Sequence, residues 1–193
     1  MGSLVLTGNT SGSVTVAVPD VAGSNTATLG AATGTHYPFT AGTAVASTSG
    51  TSIDFTSIPS WVKRITVMLN GVSTNGTSIV QIQLGAGSVT TSGYSAFASA
   101  STGAGYFGTA STGFIVDGSS TATAANTRQG SVVFSLLSSN TWVANGSVGC
   151  SSQNVVFSVS GSIALGGTLD RVRITTVNGT DTFDAGSINI LYE

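Results

Sequence analysis

Asp181 and Asp184, in Thr180-Asp181-Thr182-Phe183-Asp184, form the one close acidic pair of this chain. Two carboxylates about 5 to 9 Å apart across one bond are what glycoside hydrolysis requires. A spacing of three at a hairpin–loop junction does not turn them toward each other, so turn capping through Asx-type bonds is the favoured reading. The same oxygens could offer a weak calcium site, but no loop of sufficient ligand density surrounds them. Serine-hydrolase chemistry would have to use His36, the single histidine, which sits beside Tyr37-Pro38 in a segment of small residues. That is a poor place to hold a base. Cys150, between Gly149 and Ser151, has no neighbouring basic group to lower its pKa and reads as a buried small hydrophobe. No catalytic residue, metal ligand set or cofactor is assigned, and the expectation is a protein that is not an enzyme.

Binding chemistry is better supplied. Tyr94, Tyr106 and Phe107 fall in predicted loops or at strand ends, where an aromatic face can stack on a sugar ring. Hydroxyls and amides from 30 serines, 29 threonines and scattered asparagines would complete such a site. Those three aromatics are the candidate ligand-binding residues. Trp61 and Trp142 are read instead as core plugs at the ends of a sandwich. Arg171 and Arg173 alternate on one strand face and are expected to pair with Asp170, Asp184 or a neighbouring subunit. Lys63-Arg64 reads as a solvated strand entry.

The elements that must position these residues follow from composition and pattern. Only 6% of the 193 residues are charged, against about a quarter in an ordinary globular protein. The hydrophobic fraction is 40% and mean hydropathy is +0.37, so the chain can bury a core. Five cationic side chains are too few for nucleic-acid binding, which depends on neutralising phosphates. No run of 18 apolar residues exists, so no membrane-spanning helix is expected. Met1-Gly2-Ser3-Leu4 lacks the charged region and long apolar run of a cleaved signal peptide.

Helical periodicity is absent. Short apolar alternations recur instead: Ile65-Val67-Leu69, Val80-Ile82-Leu84, Val132-Phe134-Leu136, Val155-Phe157-Val159, Val172-Ile174 and Ile188-Ile190-Tyr192. Weaker runs lie near Ile53-Phe55, Phe114-Val116 and Thr141–Ser147. Asn70-Gly71, Asn75-Gly76, Asp117-Gly118, Asn145-Gly146 and Asn178-Gly179 read as turns. The fold predicted is all-β: an antiparallel, jelly-roll-like β-sandwich of about eight or nine strands over residues 41–193. Residues 1–40 read as an extended lead-in with one strand-like run, Val14–Val18. The small-residue tract Ala98–Ser111, interrupted by Tyr106 and Phe107, reads as a long surface loop.

Two stretches carry a resemblance. Ile53-Asp54-Phe55-Thr56-Ser57-Ile58-Pro59-Ser60-Trp61-Val62-Lys63-Arg64-Ile65-Thr66-Val67 and the segment from Leu169 to Ile190 resemble a recurrent module of tailed-bacteriophage and prophage tail fibres. With Leu69–Gly76 they span most of residues 52–193. Gly12–Gly23 is similar to the linker that precedes this module, although Leu29-Gly30 stands where Leu-Pro is expected. The resemblance implies a virion protein on the particle exterior, a homotrimer whose β-domain meets a bacterial surface polysaccharide, with residues 1–40 attaching it to other virion proteins. A purely architectural capsid-decorating or capsid-fibre protein is the alternative. The chain would be either the distal fragment of a fibre or a complete small protein. No catalytic motif comes with the resemblance.

Overall fold

Strand formation follows from the period-two placement of β-branched and aromatic residues, which leaves one face of each segment apolar. A computed structural model of the chain describes residues 3–7, 13–17, 39–100, 106–118, 122–124, 126–152 and 154–193. His36 and the small-residue tract over 28–35 lie outside them. The chain divides into two units, residues 1–36 and 37–193, so the division falls four residues before the expected boundary. In the first unit β1 (Ser3–Thr7) pairs antiparallel with β2 (Ser13–Ala17), Leu4 opposite Val16 and Leu6 opposite Val14. The strand at Ser3–Thr7 was not expected.

The second unit is an all-β antiparallel sandwich. Its strands are β3 (Thr40–Ala41), β4 (Val45–Ala46), β5 (Ser52–Phe55), β6 (Arg64–Thr74), β7 (Val80–Ala86), β8 (Ser88–Val89) and β9 (Ser95–Ala100). They continue with β10 (Tyr106–Ala110), β11 (Phe114–Ile115), β12 (Arg128–Ser138), β13 (Thr141–Cys150), β14 (Val155–Ala164), β15 (Arg171–Thr176) and β16 (Phe183–Tyr192). One sheet has nine strands in the order β10-β9-β14-β13-β12-β6-β16-β3, with β4 also on β16. The other has five, β11-β7-β15-β5, with β8 on β7. The chain passes repeatedly from one sheet to the other, as in a jelly roll. Among the described residues there is no helix, hence none long and apolar enough to cross a membrane.

Between the sheets lies one core. Ile53, Ile82, Leu84, Val172 and Ile174 from the small sheet meet Ile65, Val67, Val132, Phe134 and Val159 from the large one. Each such side chain, fully buried, contributes about 1.5–3 kcal/mol. Trp142 is buried in this core and Trp61 packs at its margin against Tyr192, ring centroids 5.9 Å apart. Cys150 is buried in a smaller cluster with Phe157 and Ile115.

Three expectations change. The tract Ala98–Ser111 is not one long loop: it contains the end of β9 and all of β10, paired with Phe107 opposite Ser99. Asn145-Gly146 lies inside β13, and Asn70-Gly71 inside β6. The second of these is a bulge: Gly71 has φ +65° and Gly186 of β16 has φ +92°. A Cβ on Gly186 would stand 2.4 Å from the Gly71 carbonyl oxygen, so the β6–β16 register shift between Ala185 and Ser187 depends on glycine there. Asp117-Gly118, finally, does not make a hairpin turn. Asp117 is fully buried and paired with Arg128, also fully buried. Arg128 Nε donates to Asp117 Oδ2 at 2.7 Å, Nη2 approaches the same oxygen at 2.7 Å without an aligned hydrogen bond, and the Val80 N–H donates to Oδ1 at 3.2 Å. Burial pushes the Asp117 carboxyl above its ordinary value, against the opposing pull of the guanidinium and the Val80 N–H.

Candidate binding groove

The outer face of the five-stranded sheet carries a polar layer whose order follows from register. Arg173 of β15 lies opposite Asp54 of β5 on one side and Gln83 of β7 on the other. Thr175 likewise lies between Ser52 and Gln81. Because side chains alternate along a strand, these residues face away from the core formed by Ile53, Ile82, Val172 and Ile174.

Short contacts hold the layer in place. Arg173 Nε and Nη2 donate to the two Asp54 oxygens at 2.7 and 2.8 Å, a fork-to-fork pair. Thr175 Oγ1 donates to Thr51 O at 2.8 Å. The segment after β10 covers β7: Gln83 Nε2 donates to Thr112 O at 2.8 Å, and Thr112 Oγ1 donates to Gln81 Oε1 at 2.9 Å. Gln81 and Gln83 are buried by this cover although they face outward from the sheet.

Two depressions meet over this layer. One, about 300 Å³, is lined by Ser52, Gln81, Gln83, Thr91, Arg173 and Thr175 among others. The second, about 510 Å³, is lined by Ser95, Phe97, Thr109 and Ser111 at the β9–β10 end. Thr112 and Val177 line both, so the two form one groove. Its wall combines hydroxyls, amides and one guanidinium already engaged by Asp54 with apolar groups, chiefly Val177 and the half-exposed ring of Phe97. Such a surface can exchange hydrogen bonds with a polyhydroxylated ligand and present a ring to its apolar face.

The three aromatics expected at a site separate. Tyr94 borders the groove but belongs to the core: it is 5% exposed and meets Phe114 edge-on, centroids 5.0 Å apart. Its oxygen accepts from the Leu84 N–H at 2.8 Å and donates to Thr90 O at 2.9 Å. Burial pushes its hydroxyl pKa up to about 12. A phenol so engaged ties β7 to the following loop and offers no face to a ligand. Phe107 is 77% exposed on the outer face of β10, outside the groove lining. Tyr106 stands opposite Ala100 in β10, and its side chain lies outside the described residues.

Phe97, opposite Thr109, is the aromatic at the groove, and the sequence reading passed over it. The available signal was its place in Ser95-Ala96-Phe97-Ala98-Ser99-Ala100, where the alternate alanines are buried and Phe97 takes the outward phase.

Elsewhere the acidic groups serve structure. Asp181 accepts from the Ser78 N–H at 2.8 Å and from Asn178 Nδ2 at 2.6 Å, a loop-capping role, while Asp184 is exposed in β16. Arg171 pairs with Asp170 at 2.8 Å, as the sequence suggested, whereas the partner of Arg173 is Asp54. Arg64 pairs with Glu193. Among the described residues no group of three or more His, Cys, Asp or Glu gathers where it could hold a metal. Comparison with known proteins returns no match to any family model, to any curated protein or to any solved structure.

Proposed function

We propose that this chain is a non-catalytic virion structural protein of the tail-fibre type, a homotrimeric adhesin that binds a bacterial surface glycan. The observation that carries the reading is the groove over Gln81, Gln83, Thr175 and Ser52, a hydroxyl- and amide-lined surface with Phe97 at its end. The resemblance of Ile53–Val67 and Leu169–Ile190 to tail-fibre modules supports the virion context. The trimer is supported by charge. Four successive strands of the large sheet, β10, β9, β14 and β13, contain no charged residue, yet Phe107 and Val156 stand exposed among them. A face of this kind suits burial against a copy of itself better than exposure to water.

That same face favours the second reading, an architectural capsid appendage that packs against other virion proteins and has no receptor. Purified host polysaccharide separates the two. The adhesin is expected to bind it saturably, and Phe97→Ala, an exposed position, to weaken binding roughly tenfold, the loss of one stacking contact of about 1–1.5 kcal/mol. No binding by a protein that labels intact heads in immunoelectron microscopy would leave the architectural role. Light scattering that gives the mass of one chain would remove the trimer.

A further inference from the structure

Two polar atoms in the groove are left without partners, and they face each other. Arg173 uses Nε and Nη2 on the Asp54 carboxylate, at 2.7 and 2.8 Å. Those two nitrogens form one edge of a planar guanidinium, so Nη1 lies on the other edge and points away from β5, toward β7. No acceptor among the described residues meets it. Gln83 stands on that side, opposite Arg173 in the β15–β7 register.

Gln83 is held in one orientation. Its Nε2 donates to Thr112 O at 2.8 Å, and because a carbonyl only accepts, the amide cannot be turned over. Thr112 leads into β11, which pairs with β7 on the side away from β15. Oε1 is therefore turned the opposite way, toward Arg173. A Cβ on Gly113 would stand 3.1 Å from Gln83 Cγ and 2.7 Å from Gln81 Oε1, so the covering segment presses on both glutamines. No donor among the described residues reaches Gln83 Oε1, and Gln83 makes no hydrogen bond to Arg173. The unpaired side-chain atoms sealed from solvent lie elsewhere, on Thr74, Asn126, Arg128 and Trp142. Gln83 Oε1 thus opens on the 300 Å³ depression that Gln83 and Arg173 both line.

The donor on β15 and the acceptor on β7 ask for a group that carries an acceptor and a donor on opposite edges. A trans secondary amide is such a group: its C=O takes the Arg173 Nη1 proton and its N–H gives to Gln83 Oε1. Val177, 46% exposed, offers apolar surface in the same depression, and Ser52 and Thr91 offer hydroxyls. Asp54 balances the charge of Arg173, so the site has nothing particular to offer an anion. We infer that the gap between Arg173 and Gln83 seats the acetamido group of a neutral, N-acetylated amino sugar. The sugar rests on the glycan reading above; the amide seat does not. Both partners are fixed by their other bonds, so little freedom is lost when the amide enters.

The test follows the Arg173 Nε–H signal and the Gln83 side-chain NH₂ signals of the ¹⁵N-labelled full chain, assigned with Arg173→Lys and Gln83→Met. N-acetylglucosamine is expected to move both saturably, and glucose to bind about tenfold more weakly, since it lacks both hydrogen bonds. Arg173→Lys keeps a cation beside Asp54 but has no Nη1. Read at Gln83, it should weaken N-acetylglucosamine about tenfold and leave glucose unchanged. It carries the test even if Gln83→Met, at a buried position, fails to fold. Equal affinity for the two sugars, or an Arg173→Lys protein that titrates like the parent, would overturn the seat. N-methylacetamide that binds as tightly as N-acetylglucosamine would overturn the sugar and leave an amide seat. Phe97→Ala, at the far end of the groove, should keep the response at Arg173 and Gln83, so failure of the groove and failure of the seat read out separately.

Discussion

Two Asp–Arg pairs in this sandwich have nearly the same geometry and very different surroundings. Arg173 and Asp54 meet at 2.7 Å on the outer face of the small sheet, each about one third exposed. Arg128 and Asp117 meet at the same 2.7 Å with no exposure at all. At the surface, water screens the attraction and already solvates both ions, so the pair is worth about 0–1 kcal/mol. In the interior, desolvation of both ions nearly cancels their attraction, yet removing either leaves a charge with nothing to answer it. Contact distance therefore says little about what a pair contributes. Burial decides it.

The strongest way to break the comparison is to remove one buried partner. Asp117→Ala or Arg128→Ala should lower the unfolding free energy by about 3–5 kcal/mol in urea denaturation. The double replacement Asp117→Leu with Arg128→Met should recover most of that loss, because the buried charges go together. If the double variant is as unstable as the singles, packing rather than charge carries the effect.

A buried neutral group sharpens the contrast. Tyr94→Phe removes the hydroxyl that serves Leu84 and Thr90 and should cost about 1–3 kcal/mol near neutral pH. Because Tyr94 is raised from 10.0 to about 12, its stabilising contribution is complete below pH 10 and lost as pH rises through 12. Stability curves of the parent and Tyr94→Phe should therefore converge across that window. Parallel curves would show that the tyrosine is not held neutral by the fold.

The surface pair should respond least. Asp54→Asn is expected to shift stability by less than about 1 kcal/mol, a difference that shrinks further in high salt. Asp170 supplies the matching acid-side case. The hydrogen bonds from Arg171 hold its carboxyl below the ordinary value, so its contribution is present above about pH 4 and lost as pH falls through the lowered folded pKa. Asp170→Asn and the parent should differ slightly at neutral pH and coincide in acid.

These contrasts also mark how far the sequence is readable. The strands built on Ile65-Val67-Leu69, Val80-Ile82-Leu84 and Val132-Phe134-Leu136 were legible because large apolar side chains alternate with polar ones. β9 and β10 were not. The buried phase of β9 is filled by Ala96, Ala98 and Ala100, and the same phase of β10 holds Gly108 and Ala110, so only a faint period-two signal remains. Asn-Gly and Asp-Gly dipeptides misled where tertiary contacts took precedence over turn preference. Gly146 packs under the Ser131 carbonyl inside a strand pair, and Asp117 follows β11 into the interior to reach Arg128.

The groove was illegible for a different reason. Its wall joins Ser52, Gln83, Thr112 and Arg173, residues far apart in the chain that become neighbours through the pairing of β5, β15 and β7. The arginine partners were half legible. Asp170 is adjacent to Arg171, whereas Asp54 is 119 positions from Arg173.

The repeated passage of the chain between the two sheets has a consequence for folding speed. Ile188 must find Leu69, and Val172 must find Phe55, before either sheet can close. Each such encounter costs loop entropy ahead of any reward, so folding belongs to the slow class of non-local β topologies, about milliseconds to seconds. Until β16 docks on β6, the long strands of the large sheet have an open edge, and strands with few charges are prone to pair with other chains. Refolding yield should therefore fall as protein concentration rises.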